Sequence, residues 1–443
     1  MISNKGENMR KIVFLIILAL ITSFSSFNDI VLKKVSFYKS NDIKNVKNEL
    51  IIKLKKNESD LKRINPEFKA MNLEKTFINK VFSVEYDKNT GYLIAKTRED
   101  VNLEELKQEL IRRNDIEDVS LNYYAHITSV YPNDKYFQYQ YYLNNTGQVY
   151  YPDKNLKGKN GADVKVLDAW DWSKGDDVIV AVVDSGVFSS HEDIEGKVLQ
   201  GYNFVSLNYN TEDDNGHGTF VSSIIAANTE NLKGISGIGW NTKILPVKVT
   251  DKDGNASYLT VAAGIRFAAD NGAKVINLSL GGEYKSFILE DACEYAFNKG
   301  CVLVCSSGNT GTAVFYPAAY DDYCIAVGAS NANDEVVQWS NHGKELDVVA
   351  PGDYIFGAYF DTQNPDKKTL YAWGSGTSFS APIVSGEIAL LLSIKPFLTN
   401  IDVVNLIKYT ADDINGDRFP GIDEYAGYGR VNFEKLLAPY EFE

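Results

Sequence analysis

The chain has 443 residues, of which 44% are hydrophobic and 23% charged, and its formal net charge is −14. This composition is that of a soluble globular protein of about two or three domains with room for a large core. The acidic balance disfavours nucleic acid as a partner, because binding a phosphate backbone requires clustered Lys and Arg. The first 130 residues are mildly basic and the remainder strongly acidic. The two parts could therefore attract each other, although solubility explains the imbalance equally well.

The N-terminus has the pattern of a secretory signal peptide. Arg10 and Lys11 precede a continuous apolar run over 12–21, and small residues follow over 22–26. The run is too short to span a bilayer comfortably, and no later segment has about 18 uncharged apolar residues in succession. We expect residues 1–28 to be a signal peptide and the protein to be secreted to the periplasm or outside the cell, with no stable membrane anchor.

Residues 29–128 have the pattern of a small α+β domain. A helix is predicted over 102–114, where leucines recur at helical spacing, and a weaker helix within 58–75. The predicted strands cover 48–56, 80–87, 91–97 and 118–127. The resulting order β-α-β-β-α-β is that of a ferredoxin-like module.

From about residue 160, short apolar strands alternate with helical segments. The helical segments cover 217–228, 258–272 and 285–300. The predicted strands cover 177–186, 242–250, 273–282, 300–309 and 323–330. Their near-continuous hydrophobicity indicates burial on both faces, as in a parallel sheet. The pattern predicts an α/β fold with a doubly wound, mostly parallel sheet, in a domain covering 129–443.

All four cysteines lie between Cys293 and Cys324. Cys301 and Cys305 share one predicted strand, where a separation of about 13 Å prevents a mutual disulfide. A Cys301–Cys324 disulfide requires their strands to be neighbours, and buried free thiols are equally consistent with the sequence. The absence of a C-x-x-C pair argues against a zinc site or a thioredoxin-like role.

Three polar residues stand at predicted element ends, where α/β folds place ligands. Asp184 ends an apolar strand, His217 lies between two glycines at the start of a helix, and Ser378 follows a glycine-rich turn into an apolar helix. Taken singly, each residue has another interpretation. Asp184 could be a helix cap or a metal ligand, His217 could be a packed histidine, and Ser378 could be an N-cap. The order Asp, His, Ser is one of the three known for catalytic triads.

Three motifs together resemble the subtilisin-like serine proteases, or subtilases. "VAVVDSGV" is similar to the family's aspartate motif, "NGHGTFVSSIIAA" to its histidine motif, and "GTSFSAPIVSGEIALLL" to its serine motif. The resemblance covers roughly residues 140–438. It implies a serine endopeptidase in which Asp184 orients His217 and His217 activates Ser378. Asn309, in "SSGNTG", is implied to bind the oxyanion together with the Ser378 N–H, and catalysis is implied to need no cofactor.

The resemblance also implies where a peptide substrate binds. Two backbone segments would pair with an extended peptide, and Tyr258 would line a more distant pocket, although it could equally be a surface aromatic. The first segment is Ser279, Leu280 and Gly281, and the second is Gly254, Asn255 and Ala256.

Three aromatic residues lie near the predicted site without belonging to the triad. Phe220 stands where many family members carry a second histidine, outside the triad. Phe315 and Tyr316 fall near the expected floor or rim of the main specificity pocket, where a Phe would narrow the pocket and favour small side chains.

The resemblance also implies a structural calcium ion. Asp193 matches the family's calcium aspartate, and 228–236 resembles the calcium loop, with Asn231, and with less support Glu230, as ligands. A solvated acidic loop is the alternative. The acidic segment 412–424 departs from the spacing of an EF-hand loop.

Residues 29–128 resemble the family's propeptide, which assists folding and blocks the active site until cleavage, here expected near 125–132. The expected partners are protein or peptide substrates and the chain's own propeptide, and the mature protein is expected to be a monomer. The competing readings are a binding protein on an inactive protease scaffold, a secreted adhesin, and a lipase or esterase. The lipase reading would require Gly-x-Ser-x-Gly around the nucleophile, whereas Ser378 lies in Thr-Ser-Phe.

Overall fold

The structure is a computed structural model that describes residues 33–34, 45–55, 66–98, 100–123, 131–151, 154–363, 369–438 and 440–441. The predicted signal peptide lies outside the described residues, as does most of the predicted cleavage region. The chain divides into two compact units, one formed by Ser36–Thr128 and the other by Met1–Val35 together with Ser129–Glu443.

The smaller unit is an antiparallel sheet with two helices. After β1 (Lys33–Lys34), which belongs to the larger unit, its elements are β2 (Asn45–Leu54), α1 (Pro66–Thr76), β3 (Val81–Asp87), β4 (Tyr92–Thr97), α2 (Leu103–Ile111) and β5 (Ile116–Tyr123). The strands are ordered β3-β4-β2-β5, all antiparallel. The side chain of Asn102 caps α2 by accepting hydrogen bonds from the N–H groups of residues 104 and 105. Leu50, Leu93 and Leu106 lie in its buried core.

The larger unit contains the remaining elements. They are β6 (Val149–Tyr151), β7 (Leu156–Lys157), α3 (Val166–Ala169), β8 (Ile179–Asp184), β9 (Tyr202–Asn203), α4 (His217–Ala226), β10 (Lys243–Lys248), α5 (Tyr258–Asp270), β11 (Val275–Leu278), α6 (Phe287–Asn298), β12 (Val302–Ser306), β13 (Cys324–Ser330), β14 (Val348–Pro351), β15 (Ile355–Phe360), β16 (Thr369–Gly374), α7 (Thr377–Ile394), α8 (Asn400–Thr410), α9 (Phe433–Leu437) and β17 (Tyr440–Glu441).

A seven-stranded parallel sheet, ordered β14-β13-β12-β11-β8-β10-β9, forms the centre of the larger unit. Alternate residues of β8 enter two separate cores, Val180 and Val182 on one face and Ala181 and Val183 on the other. Helices α4 and α7 cover the first face, and α5 and α6 the second. Burial on both faces explains the near-continuous apolar strands, and the doubly wound α/β prediction is confirmed. The strand order reverses beside β8, so the carboxyl ends of β8 and β11 flank the crevice where such sheets bind ligands.

Helix α7 is the one helix among the described residues that is long and apolar enough to cross a membrane. Most of it is buried, and it packs against β11, β12, β13 and β14. Its hydrophobicity therefore reflects a place in the protein core.

The four cysteines are buried free thiols. The Cys301 thiol donates to the carbonyl of Ala273, whereas Cys324 lies beside Cys293 and Cys305. The Cys301–Cys324 disulfide left open by the sequence is therefore not formed. Although β12 and β13 are neighbours, Cys324 lies opposite Leu303 in their register.

Candidate active site

Asp184 and His217 meet at the carboxyl end of β8. Asp184 is the last residue of that strand and is 2% exposed, and His217 is the first residue of α4. His217 Nδ1 lies 2.9 Å from both Asp184 Oδ1 and Oδ2. A Cβ atom on Gly218 would lie 2.2 Å from the Gly186 carbonyl, so only glycine lets the helix approach the strand this closely. Because Nδ1 contacts Asp184, Nε2 is the His217 ring nitrogen available for proton transfer.

Asp213, which sequence reasoning missed, supports the start of α4. Its Oδ1 accepts hydrogen bonds from the N–H groups of Asn215 and Gly216 and from the hydroxyl of Ser185. Its Oδ2 accepts from the N–H and hydroxyl of Thr219. Asp213 is fully buried, and these donors compensate its desolvation. The signal in the sequence was an acidic residue four positions before His217, at the loop-to-helix junction.

The charge of these carboxylates controls the protonation of His217. Burial by itself would lower the pKa of His217, but the charge and hydrogen bonds of Asp184, together with the charge of Asp213, outweigh burial and raise the pKa above its usual value. The side chain nevertheless keeps 31% exposure, so His217 remains accessible to solvent.

Ser378 is the second residue of α7. Its hydroxyl donates to the carbonyl of Ser279 at 3.1 Å, which brings the predicted nucleophile beside the first predicted substrate segment. The ring of Phe379, the next residue, lies 5.8 Å from that of His217 between centroids. The start of α7 therefore lies beside both His217 and the end of β11.

Asn309 follows β12 and is oriented by Thr377. Its Oδ1 accepts from the Thr377 N–H at 2.8 Å and from the Thr377 hydroxyl at 2.9 Å. The Nδ2 group is thereby directed away from Thr377 and remains a donor. A Cβ atom at Gly376 would lie 3.4 Å from Asn309 Nδ2 and 3.7 Å from Ser378 N. The absence of a side chain there keeps open a space that both predicted oxyanion donors border.

The first predicted substrate segment follows β11 and runs from buried Ser279 through half-buried Leu280 to exposed Gly281. None of the backbone hydrogen bonds recorded for the described residues uses Leu280 or Gly281, whereas Gly282 pairs with Tyr316. A Cβ atom on Gly281 would lie 3.4 Å from the Phe315 side chain. Phe315 therefore adjoins this segment.

The second predicted segment is part of a tight turn. The N–H of Asn255 donates to the carboxylate of Asp251, and the turn leads into α5, which begins at Tyr258. Gly254, Asn255 and Ala256 are exposed. The Tyr258 hydroxyl lies 2.4 Å from where a Cβ atom on Gly282 would stand, so Tyr258 reaches the chain just beyond the first segment.

Phe220 packs behind the predicted catalytic residues. Its ring lies 4.4 Å from that of Phe379 between centroids, and a Cβ atom on Gly357 would lie 2.4 Å from it. Phe220 thus fills an apolar space rather than facing His217 as a second polar group.

Asp193 and Asn231, the predicted calcium ligands, are brought together with Asp134, which the sequence reasoning missed. Asn231 Nδ2 donates to Asp193 Oδ1 at 3.0 Å, and the Tyr371 hydroxyl donates to Asp193 Oδ2. Asp134 accepts from the hydroxyl of Ser236 at 2.9 Å. Burial raises the pKa of both Asp134 and Asp193, and the charge of Asp193 adds to the effect on Asp134.

The donor set of this cluster suits calcium, since buried carboxylate and amide oxygens are its usual ligands. The described residues contain no group of three His, Cys, Asp or Glu side chains that could hold a metal ion, and an ion here would require Asn231 to turn its amide oxygen inward. Calcium binding stays a prediction.

The chain as a whole is similar to known proteases. Residues 175–429 match the model of the subtilase family. The chain is 41% identical over 304 residues to a thermophilic serine proteinase of Bacillus sp. (strain AK1), covering 68% of each chain. It is 39% identical over 307 residues to thermitase of Thermoactinomyces vulgaris, covering 69% of this chain and 99% of that one. A protease structure from Pseudoalteromonas arctica PAMC 21717 superimposes with a TM-score of 0.61 at 27% identity, covering 69% of this chain and 98% of that one.

Proposed function

Since the chain belongs to the subtilase family and is a serine endopeptidase, we propose that Asp184, His217 and Ser378 form its catalytic triad. Neutral His217 takes the proton of Ser378 through Nε2 as the hydroxyl oxygen attacks the scissile carbonyl. Asp184 holds the Nδ1–H tautomer and stabilises the imidazolium that forms. His217 then protonates the leaving amine, and water repeats the cycle on the acyl-enzyme.

Asn309 and the Ser378 N–H stabilise the negative charge of the tetrahedral intermediate. Thr377 fixes the Asn309 amide before substrate arrives, so its Nδ2 does not have to reorient during the reaction. Residues 279–281 and 254–256 bind the peptide through the backbone, which favours an extended protein or peptide substrate with little dependence on its side chains. Tyr258 lines the more distant pocket.

The observation that carries this proposal is the contact of His217 Nδ1 with both carboxylate oxygens of buried Asp184. It leaves Nε2 as the histidine nitrogen that can receive the proton of the nucleophile. The test compares wild type with Ser378→Ala for casein hydrolysis, with Ser393→Ala as a control at the far end of the same helix. We expect loss only in Ser378→Ala. Casein hydrolysis by purified Ser378→Ala would contradict the assignment.

The same protein is proposed to be exported and made as a zymogen. Residues 1–28 direct export, and residues 29–128 act as a folding assistant and inhibitor that is removed by cleavage near 125–132. The separate core of the smaller unit supports a domain that can persist after cleavage. We expect wild type, but not Ser378→Ala, to convert to a shorter chain whose N-terminus lies near 125–132. Processing of both proteins alike would assign the cleavage to another protease. The mature enzyme is proposed to be monomeric.

A structural calcium ion is proposed at Asp134, Asp193 and Asn231. When bound, the ion would neutralise two buried carboxylates, and no catalytic step depends on it. We expect EDTA to lower the Tm of wild type and to have a much smaller effect on Asp193→Asn. An unchanged Tm of wild type would remove calcium from the proposal.

A further inference from the structure

Three buried polar side chains connect the core of the larger unit to the predicted nucleophile. The hydroxyl of Ser385, on α7, donates to Asn277 Oδ1 at 2.9 Å. Asn277 Nδ2, on β11, donates to Ser279 Oγ at 2.9 Å. The hydroxyl of Ser279 in turn donates to the carbonyl of Ser378 at 2.8 Å. We call Ser385, Asn277 and Ser279 the polar chain.

The polar chain lies where an apolar core would be expected. Asn277 and Ser385 are fully buried and Ser279 is 4% exposed. The other three residues of β11, Val275, Ile276 and Leu278, all belong to the hydrophobic cores. An unpaired amide in this position would be costly, and the two flanking serines supply a partner to each end of the Asn277 amide. Because burying these polar groups is costly and their hydrogen bonds end at the nucleophile, we infer a role for them beyond packing.

The end of the polar chain satisfies a carbonyl that the helix leaves free. In an α-helix the carbonyl of Ser378 would accept the N–H of residue 382, but that residue is Pro382, which has none. The Ser279 hydroxyl takes the place of that donor. The Ser378 hydroxyl donates in the opposite direction, to the Ser279 carbonyl. Two hydrogen bonds therefore join Ser279 to Ser378.

We propose that Ser385 and Asn277 are positioning residues that, through Ser279, fix the nucleophile of α7 relative to the peptide-pairing segment 279–281. This inference rests on the proposed function of Ser378. β11 is held by backbone ladders to β8 and β12 up to Leu278, and Ser279 is the next residue along the chain. The polar chain holds the first turn of α7 against this end of β11. That turn otherwise lacks one helical hydrogen bond. Without the polar chain, the Ser378 side chain would move among positions that are displaced from the scissile carbonyl of the bound substrate.

This role predicts a selective effect on the chemical step. Neither Ser385 nor Asn277 is exposed to substrate, and β11, which leads into 279–281, keeps its ladder to β12 up to Leu278. Loss of the polar chain should therefore lower kcat and leave KM nearly unchanged, as expected for misalignment of a reacting group.

The sharpest test is the pair Ser385→Thr and Ser385→Val. Thr and Val have nearly the same shape and volume, so both substitutions add the same bulk to the packed core. Only Thr retains the hydroxyl. We expect kcat of Ser385→Val to be on the order of tenfold below that of Ser385→Thr, with similar KM for a peptide amide, as loss of one buried hydrogen bond implies. Rates are expressed per active site, titrated with a fluorophosphonate. The rate of Ser378 phosphonylation, which needs no strand pairing, should fall in parallel with kcat.

Equal kcat in the two variants, with only a lower Tm for Ser385→Val, would overturn the proposal by reducing Ser385 to a packing role. A rise in KM alone would also overturn it. If neither variant folds, Ser279→Ala removes the last link without added bulk, and wild-type kcat in that variant would reject the proposal. Failure of wild type to hydrolyse peptides, or activity in Ser378→Ala, would refute the proposed function instead.

Discussion

The two sides of the candidate site are held by different physics. On the histidine side, buried carboxylates surround the functional group: Asp184 contacts His217 directly, and Asp213 holds the first turn of α4. On the serine side, Ser378 and Asn309 are held by neutral donors and acceptors, mainly Thr377 and Ser279. The histidine side therefore controls charge and responds to pH, whereas the serine side controls geometry.

The largest effect is expected on the histidine side, from Asp184→Asn. The amide keeps the size of the carboxylate but removes the charge and favours the wrong His217 tautomer. We expect kcat to fall by about 10⁴-fold, the loss typical for this substitution in a triad. Turnover at neutral pH is measured alongside Ser378→Ala. A loss of less than about tenfold would mean that Asp184 does not orient the base.

Asn309→Ala tests the serine side, where geometry rather than charge is expected to dominate. Removing the preorganised donor should lower kcat by about 10²- to 10³-fold with little change in KM, because the oxyanion exists only in the transition state. Thr377→Val, which leaves Asn309 in place but removes one of its two anchors, should give a smaller loss. The hypothesis fails if KM rises while kcat is unchanged.

Asp213→Asn tests whether the histidine side responds to pH. The charge of Asp213 contributes to the raised pKa of His217, and only neutral His217 can act as a base. Neutralising Asp213 should therefore move the acidic limb of kcat/KM to lower pH. Asp214→Asn is the matched control, since Asp214 is half exposed and paired with Lys248. Equal shifts in both variants would point to general surface charge instead.

Glu387→Gln examines the one carboxyl of α7, which lies on the serine side. Both carboxyl oxygens lack a hydrogen-bond partner within the part of the chain that the structure describes, and burial raises the pKa of Glu387 well above its usual value. The folded protein therefore retains a proton that the unfolded chain releases. This contribution to stability is full below the unfolded pKa of about 4.3 and declines by up to about 1.4 kcal/mol per pH unit above it.

Gln has no proton to lose, so the free energy of unfolding of Glu387→Gln should exceed that of wild type at pH 7 and approach it near pH 4. Urea unfolding across this range measures the difference. A constant difference at all pH values would show that Glu387 is ionised in the folded protein or paired there.

The sequence determined the features that depend on short stretches of chain. Apolar runs such as that ending at Asp184 predicted a parallel sheet, because a strand buried on both faces cannot alternate with polar residues. Strand and helix ends then predicted that Asp184, His217 and Ser378 lie at one edge of the sheet, and the three motifs around them indicated the family. The contact of Asp184 with His217 agrees with that prediction.

Tertiary structure alone decided which distant side chains touch. Asp134 accepts the N–H of Asn231, whose side chain donates to Asp193, although Asp134 lies far from both in sequence. The register of β12 with β13 places Cys324 away from Cys301. Ser385 meets Asn277 only because α7 packs on β11. A motif records local backbone structure, whereas hydrogen bonds between elements depend on sheet order, register and helix packing, which arise from the burial of the whole core.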